Sequence, residues 1–205
     1  MDGADTGTTF TDSSSLAVSV TNVGSATTSA TQKQYGSTSA YLAGTNYLKT
    51  ANPAFLTSLW TIELSFYMPA APGGEARLFT NGGGTYPDND IRISVDIDRQ
   101  VRFWINVNGS PYYYTYTAAL ATGAWHSLAF VRATLDWVYG YVNGTRVWTR
   151  EIPSSGLPDV DFMYIGSSIS GGNLFTGYID EVRVTKSARY TEATYTLATG
   201  AFPNS

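Results

Sequence analysis

Read in twos, the segment Val101–Val107 puts Val101, Phe103, Ile105 and Val107 on one side and Arg102, Trp104 and Asn106 on the other. A period of two belongs to an extended strand with one face buried. The segment breaks at Asn108-Gly109-Ser110-Pro111 and resumes over Tyr112–Thr117, as a hairpin would. A second hairpin runs Leu135–Val142, Asn143-Gly144, Thr145–Ile152. Asn-Gly suits a two-residue type I′ turn, whose central residues both need positive φ. A third pair joins Ile91–Ile97 to Val101–Val107 through Asp98-Arg99-Gln100, and Trp60–Tyr67, Trp125–Arg132, Phe162–Gly166 and Phe175–Thr185 read as further strands. Turn residues return every eight to twelve positions, and the one helix signal is a short turn within Ser187–Tyr195. Such a chain is all-β, a sandwich or a barrel. Its glycine-rich stretches, Ala70-Ala71-Pro72-Gly73-Gly74 and Gly82-Gly83-Gly84, are loop-sized, so a single domain over residues 1–205 is expected.

Composition removes several kinds of chemistry. Twelve basic residues against 16 acidic ones give a formal charge of -4, and the basic residues are scattered singly. No nucleic-acid or anionic-membrane partner is expected from such a balance. There is no cysteine, hence no disulfide framework or thiolate site, and a lone histidine excludes any site needing two imidazoles. His126 shares strand parity with Leu128 and Phe130, which places it at the core face with its ring hydrogen-bonded. Asp96 and Asp98 share a strand face, yet Arg92 and Ser94 share it too and Asp98 begins a turn, so they read as solvated. Gly82-Gly83-Gly84 lacks the lysine and the helix of a phosphate loop, and no Ser-His-Asp arrangement is present. An enzyme is not expected. Asn108-Gly109-Ser110 and Asn143-Gly144-Thr145 satisfy a glycosylation pattern that their turn chemistry already explains.

Aromatic residues supply the surface candidates. Counting outward from Asn143-Gly144, Tyr141 faces Arg146, Tyr139 faces Trp148 and Trp137 faces Arg150, which gathers all six on one face. Val138, Gly140, Val142, Thr145, Val147 and Thr149 take the other. Two readings stand side by side: the aromatic face is a platform for a sugar or a protein partner, or it is the core side with arginines at its rim. In the preceding hairpin Tyr112, Tyr114 and Tyr116 fall with Phe103 and Ile105, leaving Trp104 and Tyr113 outward.

Three segments carry a family resemblance. Ala124-Trp125-His126-Ser127-Leu128-Ala129-Phe130-Val131-Arg132 is followed by Gly140-Tyr141-Val142-Asn143-Gly144, and Gly177-Tyr178-Ile179-Asp180-Glu181-Val182-Arg183-Val184-Thr185-Lys186 by Ala188-Arg189-Tyr190-Thr191. Upstream stand Asp2-Gly3-Ala4-Asp5, Thr9-Phe10-Thr11-Asp12, Tyr35-Gly36 to Tyr47-Leu48, and Trp60-Thr61-Ile62-Glu63. The chain resembles the concanavalin A-like lectin/glucanase superfamily in its laminin-G-like form, over nearly its whole length, and its Asp-Glu-Val-Arg segment looks most like versions in bacteriophage virion proteins.

The resemblance implies a jelly-roll β-sandwich of two curved antiparallel sheets. It also implies a structural Ca2+ held by the Asp180 side chain and by carbonyls near Asp2 and Gly44, a hard cation suited to such oxygens; the alternative is that Asp180 pairs with Arg183 or another arginine. Glycanases of the superfamily carry Glu-x-Asp-x(x)-Glu, which this chain lacks. The implied function is a non-catalytic virion protein of capsid or tail, touching other virion proteins, itself or a host-surface glycan. The alternative is a carbohydrate-binding module or lectin of a bacterial surface or secreted protein. Family members have an apolar strand ahead of Asp-Gly, where this chain has only Met1. The expectation is therefore an unpaired edge along Ile179–Thr185, covered by a partner chain in an assembly or by the chain's own Tyr195–Phe202.

Overall fold

The computed structural model describes residues 3–51, 58–82, 89–154 and 161–203. Among them the chain forms fourteen strands and no helix. They are β1 (Val20–Val23), β2 (Thr27–Ser29), β3 (Ser39–Ala43), β4 (Tyr47–Ala51), β5 (Trp60–Tyr67), β6 (Ala76–Gly82) and β7 (Asp90–Val95). The second half supplies β8 (Val101–Val107), β9 (Ser110–Tyr116), β10 (Trp125–Arg132), β11 (Trp137–Val142), β12 (Thr145–Glu151), β13 (Phe162–Ile165) and β14 (Thr176–Thr185). Two seven-stranded sheets result, one ordered β1-β4-β13-β6-β7-β8-β9 and the other β12-β11-β10-β5-β14-β3-β2. All pairings are antiparallel, and the sheets pack as a jelly-roll sandwich.

The three expected hairpins form. Asn108 and Gly109 (φ 51° and 78°) and Asn143 and Gly144 (φ 49° and 78°) take the positive φ values that a two-residue turn demands. Alternate residues of both sheets then interlock. Ile91, Ile93, Val101, Phe103 and Ile105 face Ile62, Leu64, Phe66, Leu128 and Phe130 in one buried cluster. Phe103 reaches across to Phe130, with ring centroids 5.4 Å apart. It also lies against Gly140, where an added Cβ would come within 2.8 Å of its ring; only glycine lets the two sheets approach this closely. His126 sits at the core face as expected. Its Nε2 lies 2.9 Å from the Ala121 carbonyl, and Asn143 donates its amide to Nδ1 at 3.3 Å.

The structure corrects the sequence in one place here. Ser187–Tyr195 holds no helical turn, because this segment lies as an extended strap across the outer face of the second sheet. Tyr190 and Tyr195 stack at 3.8 Å over Tyr141, whose hydroxyl donates to the Glu192 carbonyl, and Ala129, Val131 and Ala133 are buried beneath. Under the strap, the buried Glu63 carboxylate accepts two hydrogen bonds from Arg183 (2.8 and 3.1 Å) and one from the Tyr190 hydroxyl (2.5 Å). Arg189 stands 3.4 Å away.

The expected open edge along Ile179–Thr185 is found in part. β5 pairs with one side of β14 from Tyr178 to Thr185, while on the other side β14 has a described strand partner, β3, only as far as Ile179. Only beyond Ile179 does its β3 side open, onto a groove of about 310 Å3 walled by Val20, Leu48, Met163, Ile165, Val182 and Val184. The C-terminal strap reaches the rim of this groove without pairing as a strand. Phe202 donates its N–H to Glu181, and Arg183 lies 3.6 Å over the Phe202 ring.

Candidate functional site

The expected six-residue aromatic face does not survive the true register of the β11–β12 hairpin. Tyr141 does face Arg146, but a bulge follows, so that Gly140 faces Trp148, Tyr139 faces Thr149, Val138 faces Arg150 and Trp137 faces Glu151. One extra residue turns everything beyond it to the other side. Trp148 therefore points inward, 8% exposed, stacked on Tyr114 and tilted against Phe130. Arg150 lies over the Tyr112 ring at 5.3 Å. Tyr141 keeps its outward parity yet is buried under the strap, and Arg146 stacks on Tyr139 at 4.5 Å. Trp137 lies exposed at the sheet margin, opposite Glu151.

Of the residues expected at a Ca2+ site, Asp180 and Gly44 lie apart along β3. Asp180 lies beside the Ser39 end of β3 and Gly44 just past its Ala43 end, roughly 17 Å apart at the rise of a strand. Asp180 is buried and accepts the backbone N–H groups of Gln34, Tyr35 and Glu181. Arg183 is bound to Glu63, so the Asp180–Arg183 pairing is not made. Asp180 and Gly44 thus do not fit one cation site, and Asp2 lies outside the described residues. Asp96 serves the turn below β7, its carboxylate accepting the N–H groups of Asp98 and Gln100.

Trp104 and Tyr113 do face outward, and they stand in register with more than the sequence indicated. Across the first sheet the ladders align Lys49, Tyr164, Thr80, Arg92, Trp104 and Tyr113 in one row over β4, β13, β6, β7, β8 and β9. Five inter-strand steps make this row about 24 Å long. At one end Tyr113, 60% exposed, stacks on Trp104 at 5.3 Å with 14° between the rings. Arg92 lies 4.9 Å over Trp104, and Asp90 binds both Arg92 and the Trp104 indole N–H. Burial pushes the Asp90 carboxyl above the usual carboxylate range, while Arg92 and the indole pull it back. At the other end Lys49 sits 3.6 Å over Phe162 and 5.5 Å from Tyr164. Asp90, Arg92, Lys49 and Phe162 were not anticipated. The parity of Phe162 and Tyr164 opposite the core residues Met163 and Ile165 was the available signal.

The groove beside β14 offers less to a ligand that must be hydrogen-bonded. Its rim groups are already occupied: Asp12 by Ser14 and Val18, Glu181 by Phe202, and Arg183 by Glu63. In the row on the first sheet Tyr113 is exposed and Trp104, Arg92 and Lys49 are half-buried, while Tyr164 and Thr80 between the two ends are buried.

A laminin G family model of the concanavalin A-like lectin/glucanases superfamily matches residues 42–193. No curated protein matches by sequence. Among solved structures, the chain is similar to domain 4 of AbnA, an extracellular arabinanase of Geobacillus stearothermophilus, in complex with arabinotriose (18% identity, 83% of each chain, TM-score 0.66). It is also similar to the CBM40 of the Ruminococcus gnavus IT-sialidase bound to alpha2,3 sialyllactose (16% identity, 65% of this chain and 78% of that one, TM-score 0.56). Mouse laminin alpha1 domains LG4-5 share 18% identity over 75% of this chain, which spans 44% of theirs, at a TM-score of 0.57. At these identities the likeness is one of fold.

Proposed function

Since the chain belongs to the concanavalin A-like lectin/glucanase superfamily, whose shared sandwich leaves function to its surface sites, we propose that it is a non-catalytic carbohydrate-binding domain of a bacterial surface or secreted protein. The observation that carries this reading is the exposed Tyr113–Trp104 stack braced by Arg92 and Asp90. A sugar ring has an apolar C–H face and a rim of hydroxyls. An aromatic plane takes the first, and charged or amide groups on neighbouring strands take the second. Bracing matters because a ring held in place loses little side-chain entropy when the sugar lands. Arg102 and Thr115, hydrogen-bonded to each other, flank the stack on β8 and β9, and Lys49 with Phe162 offers a second contact at the far end of the row.

The carboxylates of this face are committed to structure. Asp90 holds Arg92 and Trp104, while Glu75 holds Arg77 and Ser94. The similar domains bound to arabinotriose and to alpha2,3 sialyllactose support a sugar ligand. A virion setting draws only on the segments Asp180–Arg183 and Ala188–Thr191, and here Arg183, Arg189 and Tyr190 converge on Glu63. A glycan array with the parent protein and Trp104→Ala tests the reading. The expected result is binding to a defined set of glycans that falls at least about tenfold in the variant, with the melting temperature nearly unchanged. Undiminished binding by the variant would refute it.

A further inference from the structure

The opposite face of the sandwich carries a second aromatic row. On the outer side of the other sheet the ladders align Tyr41, Tyr178, Tyr67 and Trp125, one each from β3, β14, β5 and β10. Their inward neighbours Ala40, Ile179 and Phe66 are buried in the core, which fixes the outward parity of the row. Successive centroids are 5.0, 5.8 and 5.8 Å apart, so the four rings touch in sequence over about 14 Å, three inter-strand steps. All four are half-exposed. The strap that buries Tyr141 packs on other residues, and a Cβ added at Gly123 beside Tyr67 would meet only the tyrosine hydroxyl, 3.8 Å away.

The polar tips of this row are unused. The Tyr41, Tyr67 and Tyr178 hydroxyls and the Trp125 indole N–H make no hydrogen bond within the described residues, and no described cation or carboxylate contacts the rings. A polypeptide strand would seek a sheet edge, which the middle of a face does not provide. A charged ligand would find no counter-ion, and a purely apolar one would leave four polar tips dry. A sugar chain without charge matches both the planes and the tips. Burial among neighbouring rings pushes the Tyr178 hydroxyl up, which keeps it a neutral donor.

We propose that Tyr41, Tyr178, Tyr67 and Trp125 form a second, charge-free sugar platform, making the domain bivalent, with one glycan site on each side of the sandwich. This rests on the carbohydrate reading of the first face and differs from it in being testable separately. Calorimetric titration with linear hexasaccharides of arabinose, xylose and glucose measures the number of sites, and turbidity with the corresponding soluble polysaccharides reports cross-linking. The parent is expected to bind two hexasaccharides and to cloud the polysaccharide. Tyr67→Ala with Tyr178→Ala, and separately Trp104→Ala, should each leave one site and no clouding. Tyr67→Phe with Tyr178→Phe keeps the rings and the packing, and should weaken only the second site, by about fivefold. Unchanged site number and affinity in both tyrosine double variants would overturn the proposal. So would a parent with a single site that Trp104→Ala removes, although the proposed function would then stand. A loss of self-association in Tyr67→Ala with Tyr178→Ala, with sugar binding intact, would overturn it in favour of a contact between copies. A parent that binds none of the three sugars and nothing on the array would sink both readings.

Discussion

Asp90 shows how one side chain can serve a surface site at a cost to stability. Its folded-state pKa lies above the 3.8 of a free aspartate because burial outweighs the help of Arg92 and Trp104. A raised carboxyl means that the folded protein holds the proton more tightly than the unfolded chain. The associated stability is complete below about pH 3.8 and is lost as pH rises through the folded-state pKa. Replacing Asp90 with Asn removes this dependence, so the variant should gain on the parent as pH is raised from about 4 to 7. Denaturant unfolding at several pH values checks the sign; a difference that is flat, or falls, would contradict it. None of this was visible in the sequence. Asp90 opens a strand and resembles any polar residue beside a turn, and its role depends on Trp104, fourteen positions away. The outward parity of Trp104 and Tyr113 was legible, because alternation alone decides which residues of a strand share a face.

At the scale of the element, the β11–β12 hairpin marks where alternation stops being informative. The turn at Asn143-Gly144 and the pairing of Tyr141 with Arg146 follow from turn chemistry. The bulge that follows has no signature in residue type, and past it the facing of the β12 residues inverts while β11 keeps its parity. β12 is the outermost strand of its sheet, the place where bulges are commonest because fewer ladder bonds are disrupted. Its consequence is measurable. Trp148→Ala should cost about 3–5 kcal/mol of stability, as for any large core aromatic, and leave sugar affinity untouched. Were Trp148 a surface contact, the variant would lose affinity and keep its stability. The short strands β1 to β4 were missed for another reason: three to five residues of mixed polarity give too little periodicity to separate strand from loop.

For the whole molecule, the C-terminal strap is the feature on which most else depends. It covers Tyr141, Ala129 and Val131 and supplies Arg189 and Tyr190 to the buried Glu63. Ending the chain after Lys186 should lower stability by at least about 3 kcal/mol, because an apolar patch is bared while a buried charge loses two partners. A chemical denaturation midpoint equal to that of the full chain would refute this. The order of the strands adds a consequence in time. β5 is made early, yet its two neighbours are β10 and β14, and β4 waits for β13. The consecutive ladders β6 to β9 and β10 to β12 can close as soon as they are synthesised. Neither sheet is complete until residues 162–185 arrive, and Glu63 has no counter-charge from Arg183 or Arg189 before then. Contacts this distant in sequence place refolding in the range of about milliseconds to seconds. On the ribosome, the aromatic interior built from residues 60–151 stays unsealed until residues 162–190 emerge, so that stretch governs when the domain becomes safe from aggregation.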